Sequence, residues 1–237
     1  MLGLIKCMIN LYTETGAKRM FTKLPKWVEY GAFTLAFIAG MVNAVGLLGF
    51  EQQAISHVSG SVTSLAIELT TNINAALFLI AIVLSFIFGS ALTGVMLSGG
   101  SLKLGRHYDT LLFIEGILLL LSAQLLQYSY PYALTLASAA CGLQNALATN
   151  YSGAVVRTTH LTGIFTDLGL MLGKALKGEA FDSRKCLVFV LIIAGFLAGG
   201  VAGVVLFKHY SVLTLVFPGI FCIVLSITYR VYRLSVL

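Results

Sequence analysis

Two stretches about a hundred residues apart spell nearly the same pattern, Ser56-His57-Val58-Ser59-Gly60-Ser61-Val62-Thr63 and Thr159-His160-Leu161-Thr162-Gly163-Ile164-Phe165-Thr166, and both lie inside apolar, membrane-like sequence. Each follows a matching helix-end motif, Gly40-Met41-Val42-Asn43-Ala44 in the first half and Gly142-Leu143-Gln144-Asn145-Ala146 in the second. Order and spacing agree to within about one residue. The chain therefore reads as two copies of one membrane unit, roughly 28–128 and 131–233, with a polar, glycine-broken segment at the same place in each.

Composition sets the class. Hydrophobic residues make up 58% of the chain, charged ones 10%, and the mean hydropathy is +0.95. A soluble domain carries about a quarter charged residues, so the expectation is an all-α integral membrane protein. The net charge of +6 sits in short pieces between apolar runs, where it sets orientation; nucleic acid is not an expected partner. Cys7, Cys141, Cys186 and Cys222 are scattered without a C-x-x-C spacing, implying neither a disulfide framework nor a metal site. No cofactor is expected. Residues 1–27 carry Lys18, Arg19, Lys23 and Lys26 with no cleavage-site pattern, and read as a basic leader on the cytoplasmic membrane surface or a frayed tail.

Apolar runs of spanning length fall at roughly 28–50, 75–97, 109–128, 131–149, 186–207 and 211–229. The motif segments, roughly 54–71 and 158–176, carry too many hydroxyls, glycines and carboxylates to face lipid. If both cross, there are eight helices spanning, and Lys103, Arg106 and Arg157 fall outside. If neither crosses, six spans remain, and these three join Lys174, Lys177, Arg184, Lys185, Arg230 and Arg233 on the cytoplasmic side, leaving only Lys208 outside. Charge bias favours six, with both termini cytoplasmic in the cell (inner or plasma) membrane. Each half then has an odd number of crossings, which makes the repeat inverted, as in many carriers. Ser85, Gly89 and Thr93 align with Gly195, Gly199 and Gly203 as small-residue stripes for close helix packing.

On a helix, His57, Ser61, Ser64 and Glu68 share a face, as do His160 and Asp167. Ser59 with Thr63, and Thr162 with Thr166, form hydroxyl pairs one turn apart; Gly60 and Gly163 sit between them, where a helix can break and expose polar backbone. The competing reading is structural: membrane Ser and Thr often bond the carbonyl one turn back, and a lone histidine is more often packed than a ligand. Asn43, Gln144 and Asn145 read as clamps lining the same cavity. Glu115, a carboxylate inside an apolar run, is a proton-relay candidate or reaches the nearby interface. No metalloprotease, P-loop or nucleophile-elbow pattern occurs, so no enzyme is expected.

At these residues the chain resembles the YoaK family, a domain-of-unknown-function group (domain 1275) of small bacterial multi-spanning proteins. The resemblance covers about 28–230 and is most specific at Gly142-Leu143-Gln144-Asn145-Ala146 and Arg157-Thr158-Thr159-His160-Leu161-Thr162-Gly163, which are similar to the family's G-L-Q-N-A and R-T-T-x-x-T-G elements. Ser61 stands where the family has Asn, and Asn43 where many members carry Asp. The resemblance implies a small-molecule transporter. Together with the motifs it gives the functional expectation: a carrier for a small polar or anionic solute, held by His57, Ser59, Gly60, Thr63, Glu68, His160, Thr162, Gly163, Thr166 and Asp167. The alternative is a non-transporting membrane scaffold or partner-binding subunit. Expected partners are the lipid bilayer and the solute, with a homo-oligomer left open.

Overall fold

The structure, a computed structural model, describes residues 27–49, 55–97, 107–152 and 157–236. Among them there are no strands. Eight α-helices follow one another: α1 Trp27–Leu48, α2 Val58–Thr71, α3 Ile73–Met96, α4 Tyr108–Gln127, α5 Leu134–Ser152, α6 Leu161–Leu176, α7 Ser183–Tyr210 and α8 Val216–Val236. Short 3-10 turns at Pro131–Ala133 and Ser211–Leu215 lead into α5 and α8. The leader, Lys103 and Arg106 lie outside the described residues.

Among the described residues, four stretches are long and apolar enough to cross a bilayer: Glu29–Leu48, Ile73–Met96, Tyr108–Gln127 and Ser183–Ser235. The last contains both α7 and α8, so the expected runs at 186–207 and 211–229 merge into one apolar stretch bent at a 3-10 turn. The run expected at 131–149 corresponds to α5, which is not among the four. Its residues explain why: Ala137, Ser138, Ala140, Cys141, Leu143 and Gln144 are all buried. This helix is wrapped by protein, and small and polar side chains replace the bulky apolar ones that lipid contact selects. The motif helices are shorter, 14 residues in α2 and 16 in α6, or about 21 and 24 Å at 1.5 Å per residue. A hydrocarbon core is about 30 Å thick.

Helix boundaries follow local chemistry. Asn72 Oδ1 accepts from the backbone N–H groups of Asn74 (3.1 Å) and Ala75 (3.3 Å), which ends α2 and starts α3 in one residue. Asp182 caps α7 through the Lys185 N–H at 3.0 Å. Gly178, with φ of 83°, closes α6 as the left-handed residue after a helix.

Packing is organised in pairs. The dominant contacts are α1 with α7, α3 with α5, and α4 with α8. The first two pairs are parallel and backbone-close. A Cβ at Gly40 would strike the Phe196 carbonyl, and one at Gly199 the Phe37 carbonyl. A Cβ at Gly142 would strike the Phe86 carbonyl, and one at Gly89 the Ala139 carbonyl. Hydroxyls add to the second pair: Ser90 donates to the Gly142 carbonyl (3.0 Å), Thr93 to the Leu143 carbonyl (3.1 Å) and Ser138 to the Ile82 carbonyl (2.8 Å). In lipid, such close approach supplies the packing and hydrogen bonding that hydrophobic burial cannot. α4 and α8 cross antiparallel where Gly116 and Gly219 face each other. Their ends are tied by Ser226 Oγ donating to the Asp109 carbonyl (2.6 Å) and by the Arg233–Asp109 ion pair (3.3 Å). Ion pairs Arg184–Glu29 (3.4 Å) and Lys185–Asp167 (3.3 Å) lie at this same end of the bundle, at the starts of α1 and α7.

Candidate functional site

Both motif helices begin on a histidine. His57 precedes α2 and His160 precedes α6, each in a non-helical conformation and neither capping its helix with its side chain. The glycines do not break these helices. Gly60 and Gly163 fall within the first turn of a continuous helix, and the interruption lies ahead of the histidines, in the chain joining α1 to α2 and α5 to α6. That is the physical correction to a glycine-broken segment: α-helical φ and ψ are open to glycine at modest cost, so a glycine permits a break without requiring one.

What holds each interruption is an asparagine one helix earlier. Asn43 Oδ1 accepts from Ser56 twice, from its N–H at 3.3 Å and its hydroxyl at 2.9 Å, and lies 3.4 Å from His57 Nδ1. Asn145 Oδ1 accepts from the Thr159 hydroxyl at 3.2 Å. Because Asn43 lies five residues before the end of α1, Ser56 and His57 are drawn back inside the bundle. The His57 ring meets Phe196 of α7 edge-on, with centroids 5.6 Å apart, and Phe196 is the residue Gly40 packs against. α2 thus starts at the level of the α1–α7 crossing and runs out to Asn72.

The two motif segments differ in detail. His57 is half-buried, whereas His160 is exposed and folds back over Gly163, where a Cβ would come within 2.5 Å of the imidazole. Burial holds the His57 imidazole below its ordinary value. Behind the second interruption lie polar atoms that the first lacks: Gln144 Nε2 and Thr158 Oγ1 are buried without a hydrogen-bond partner.

The expected solute-binding residues do not all converge. Ser61 is buried and Ser64 and Glu68 half-buried on one face of α2, but Ser59, Gly60 and Thr63 are on the outside. The Thr63 hydroxyl donates to the Ser59 carbonyl (3.0 Å) and the Thr166 hydroxyl to the Thr162 carbonyl (2.9 Å), so both threonines follow the structural reading. Glu68 accepts from the Thr71 hydroxyl at 3.0 Å, and Asp167 is committed to Lys185. α2 packs along α3 and α6 against α7. An open groove of about 360 Å³ lies elsewhere, between α3, α4 and α5, lined by apolar residues such as Leu84, Phe88, Leu92 and Ile114. Sequence reading passed over Ser56 and Thr159, the hydroxyls the asparagines hold. Their recurrence directly before each histidine was the available clue. Glu115 does not reach an interface; it is 2% exposed in the middle of α4.

Among the described residues, no group of His, Cys, Asp and Glu is arranged to hold a metal ion. An all-helical bundle with four spanning apolar stretches and internal polar interruptions defines the class: a multi-pass membrane protein. Within that class, the family model described as "Protein of unknown function (DUF1275)" matches residues 31–228, and the chain belongs to that family. No curated protein and no solved structure matches it.

Proposed function

We propose that this protein is a carrier for a small polar or anionic solute, built as an inverted repeat with six crossings and two half-helices that enter from opposite faces. The observation that carries the reading is the pair of asparagine-held helix starts, Asn43 with Ser56 and His57, and Asn145 with Thr159. A helix that starts inside the membrane domain leaves its first N–H groups to be satisfied by solvent, side chain or solute, and discontinuous helices of this kind build the solute sites of many carriers.

The helix contacts support the repeat. If residue 40 corresponds to 142 and 89 to 199, the contact of Gly40 with Phe196 is the counterpart of Gly142 with Phe86, and Gly199 with Phe37 the counterpart of Gly89 with Ala139. The first spanning helix of each repeat then packs on the second spanning helix of the other. The halves are interlocked, and two bodies result, one around α1 and α7 and one around α3 and α5. Each asparagine holds the start of a motif helix that packs on the other body, so a solute bound at these helix starts acts where the two bodies move. Arg184, Lys185 and Arg233 share the ion-paired end, which we assign to the cytoplasm.

A thermal-shift screen of small polar and anionic metabolites on purified protein tests the carrier reading. A stabilising solute should lose its effect in His57→Ala and His160→Ala while both variants stay folded. Stabilisation by no solute, or an effect that survives both substitutions, favours the scaffold alternative.

Acid sensitivity follows from the burial of His57. Burial disfavours its charged form in the folded state, so the imidazole takes up a proton more readily once unfolded and the unfolded chain binds more protons at low pH. Stability is expected to fall as pH drops below about 6.5, the ordinary histidine value, and His57→Gln should flatten that loss. Equal acid profiles for wild type and variant would remove His57 from the account.

A further inference from the structure

At the centre of the bundle is a polar cluster that the asparagine-held sites do not use. Glu115 of α4 points into the junction of α4, α5 and α8. The Cys222 thiol of α8 hydrogen-bonds its carboxyl, and Cys141 of α5 lies close enough to interact electrostatically. Both cysteines are buried and free. Glu115 Oε2 has no hydrogen-bond partner. One turn beyond Cys141 on α5 is Gln144, 1% exposed, whose Nε2 also has none. A buried acceptor and a buried donor, both unsatisfied, thus sit on two helices packed together.

No cation faces this carboxyl among the described residues. The groups that interact with it are Cys222 of α8 and Cys141 of α5, with Gln144 one turn further along α5. Asp109 and Tyr108 are two turns away on α4, and Arg233 is already paired with Asp109. An ionised carboxylate with a bare oxygen in such a place is strongly disfavoured, whereas a neutral carboxyl is tolerated. The location matters too. Gly116, the next residue, is where α4 and α8 cross backbone to backbone, so a small relative shift of these helices alters what reaches Oε2.

We propose that Glu115 is a proton-binding site of this membrane domain, neutral in the conformation described and releasing its proton in a second conformation in which the Gln144 amide donates to Oε2. The step is a simple ionisation: the carboxyl O–H bond breaks, the proton passes to water admitted from one aqueous face, and the carboxylate is held by the Gln144 N–H and the Cys222 S–H. It rests on the carrier reading only in its use, since a proton bound here supplies the coupling ion that reading needs.

The test uses no solute, so its failure and the failure of the carrier reading are separate events. Full-length protein in lipid vesicles is followed by infrared difference spectroscopy as pH is stepped. At neutral pH a carbonyl band of a neutral carboxyl is expected, missing in Glu115→Gln and shifted in frequency in Cys222→Ala, where one hydrogen bond is gone. Should Glu115→Gln fail to fold, the Cys222→Ala shift identifies the same group. On raising the pH the band should fade reversibly, and in Gln144→Leu the fading should move about one to two pH units higher, the worth of one hydrogen bond to a charged group. Absence of the band at neutral pH, its survival in Glu115→Gln, or an unshifted frequency in Cys222→Ala overturns the assignment. Identical titration of wild type and Gln144→Leu overturns the role of the amide and with it the second conformation.

Discussion

Alanine at Gly199 or Gly89 is expected to destabilise the protein by about 3 kcal/mol, at the upper end of what overpacking usually costs. The reason is what the new methyl would meet: the backbone carbonyl of Phe37 in one case and of Ala139 in the other. A side chain can rotate away, but a helix carbonyl cannot, so the helices must separate and the pair loses contact along its length. Gly40→Ala and Gly142→Ala strike the Phe196 and Phe86 carbonyls in the same way. Glycines with open space around them provide the control. Gly60, Gly169 and Gly173 have nothing within 4 Å of an added Cβ, and alanine there should be neutral or gain up to about 1 kcal/mol in helix propensity. Denaturant unfolding in detergent measures all of these. The proposed inverted repeat makes a sharper demand: Gly89 and Gly199 should suffer alike, as should Gly40 and Gly142. Strongly unequal losses within either couple would count against the interlocked halves.

How far the sequence reveals this arrangement differs from feature to feature. The small residues at 89, 93, 195, 199 and 203 were legible as packing stripes because lipid removes the hydrophobic drive and leaves close approach as the reason for glycine. The partner of each stripe was not legible. Nothing in the spacing of Gly195, Gly199 and Gly203 says that they meet Phe33, Phe37 and Met41 of the other half, because helix pairing is a long-range property. α5 shows the opposite difficulty. Hydropathy marks contact with lipid, and a helix surrounded by protein sheds it, so the run expected at 131–149 falls short of the apolarity of the other spanning stretches once its helix, Leu134–Ser152, is seen.

The polar motif divides along similar lines. That Asn43 and Asn145 bond the motif segment could be anticipated, since an amide in an apolar run needs a partner. Which hydroxyl each would meet depends on where the chain turns between helices, and that turn comes before the histidine rather than at the glycine. The shift of three or four residues moves Ser59 and Thr63 to the outside and brings Ser56 in. Thr63 and Thr166 illustrate why hydroxyls at i and i+4 are weak evidence for a site: the carbonyl one turn back is always within reach.

Replacing Asn43 should hurt far more than replacing Asn145, although the two occupy corresponding places. Asn43 is 5% exposed and its single oxygen serves the Ser56 N–H, the Ser56 hydroxyl and the approach of His57. Asn43→Leu keeps the number and branching of side-chain heavy atoms and removes the acceptor, leaving two donors of Ser56 unsatisfied at about 1–3 kcal/mol each. A total loss of about 2–6 kcal/mol is expected, against about 1 kcal/mol for Asn145→Leu, which forfeits one partly buried bond at 3.2 Å. Asn43→Asp retains an acceptor at the same point and should fold nearly as the parent does. It also puts a carboxylate beside His57, which favours the charged imidazole and should diminish the acid-side loss of stability attributed to that histidine. The three variants thus separate two contributions, the hydrogen bond that fixes the helix start and the charge of the ring that the bond positions. Unfolding measurements at neutral and acidic pH read both. If Asn43→Leu and Asn145→Leu prove equally mild, the helix starts are held by something other than these amides, and the carrier reading loses the observation it depends on.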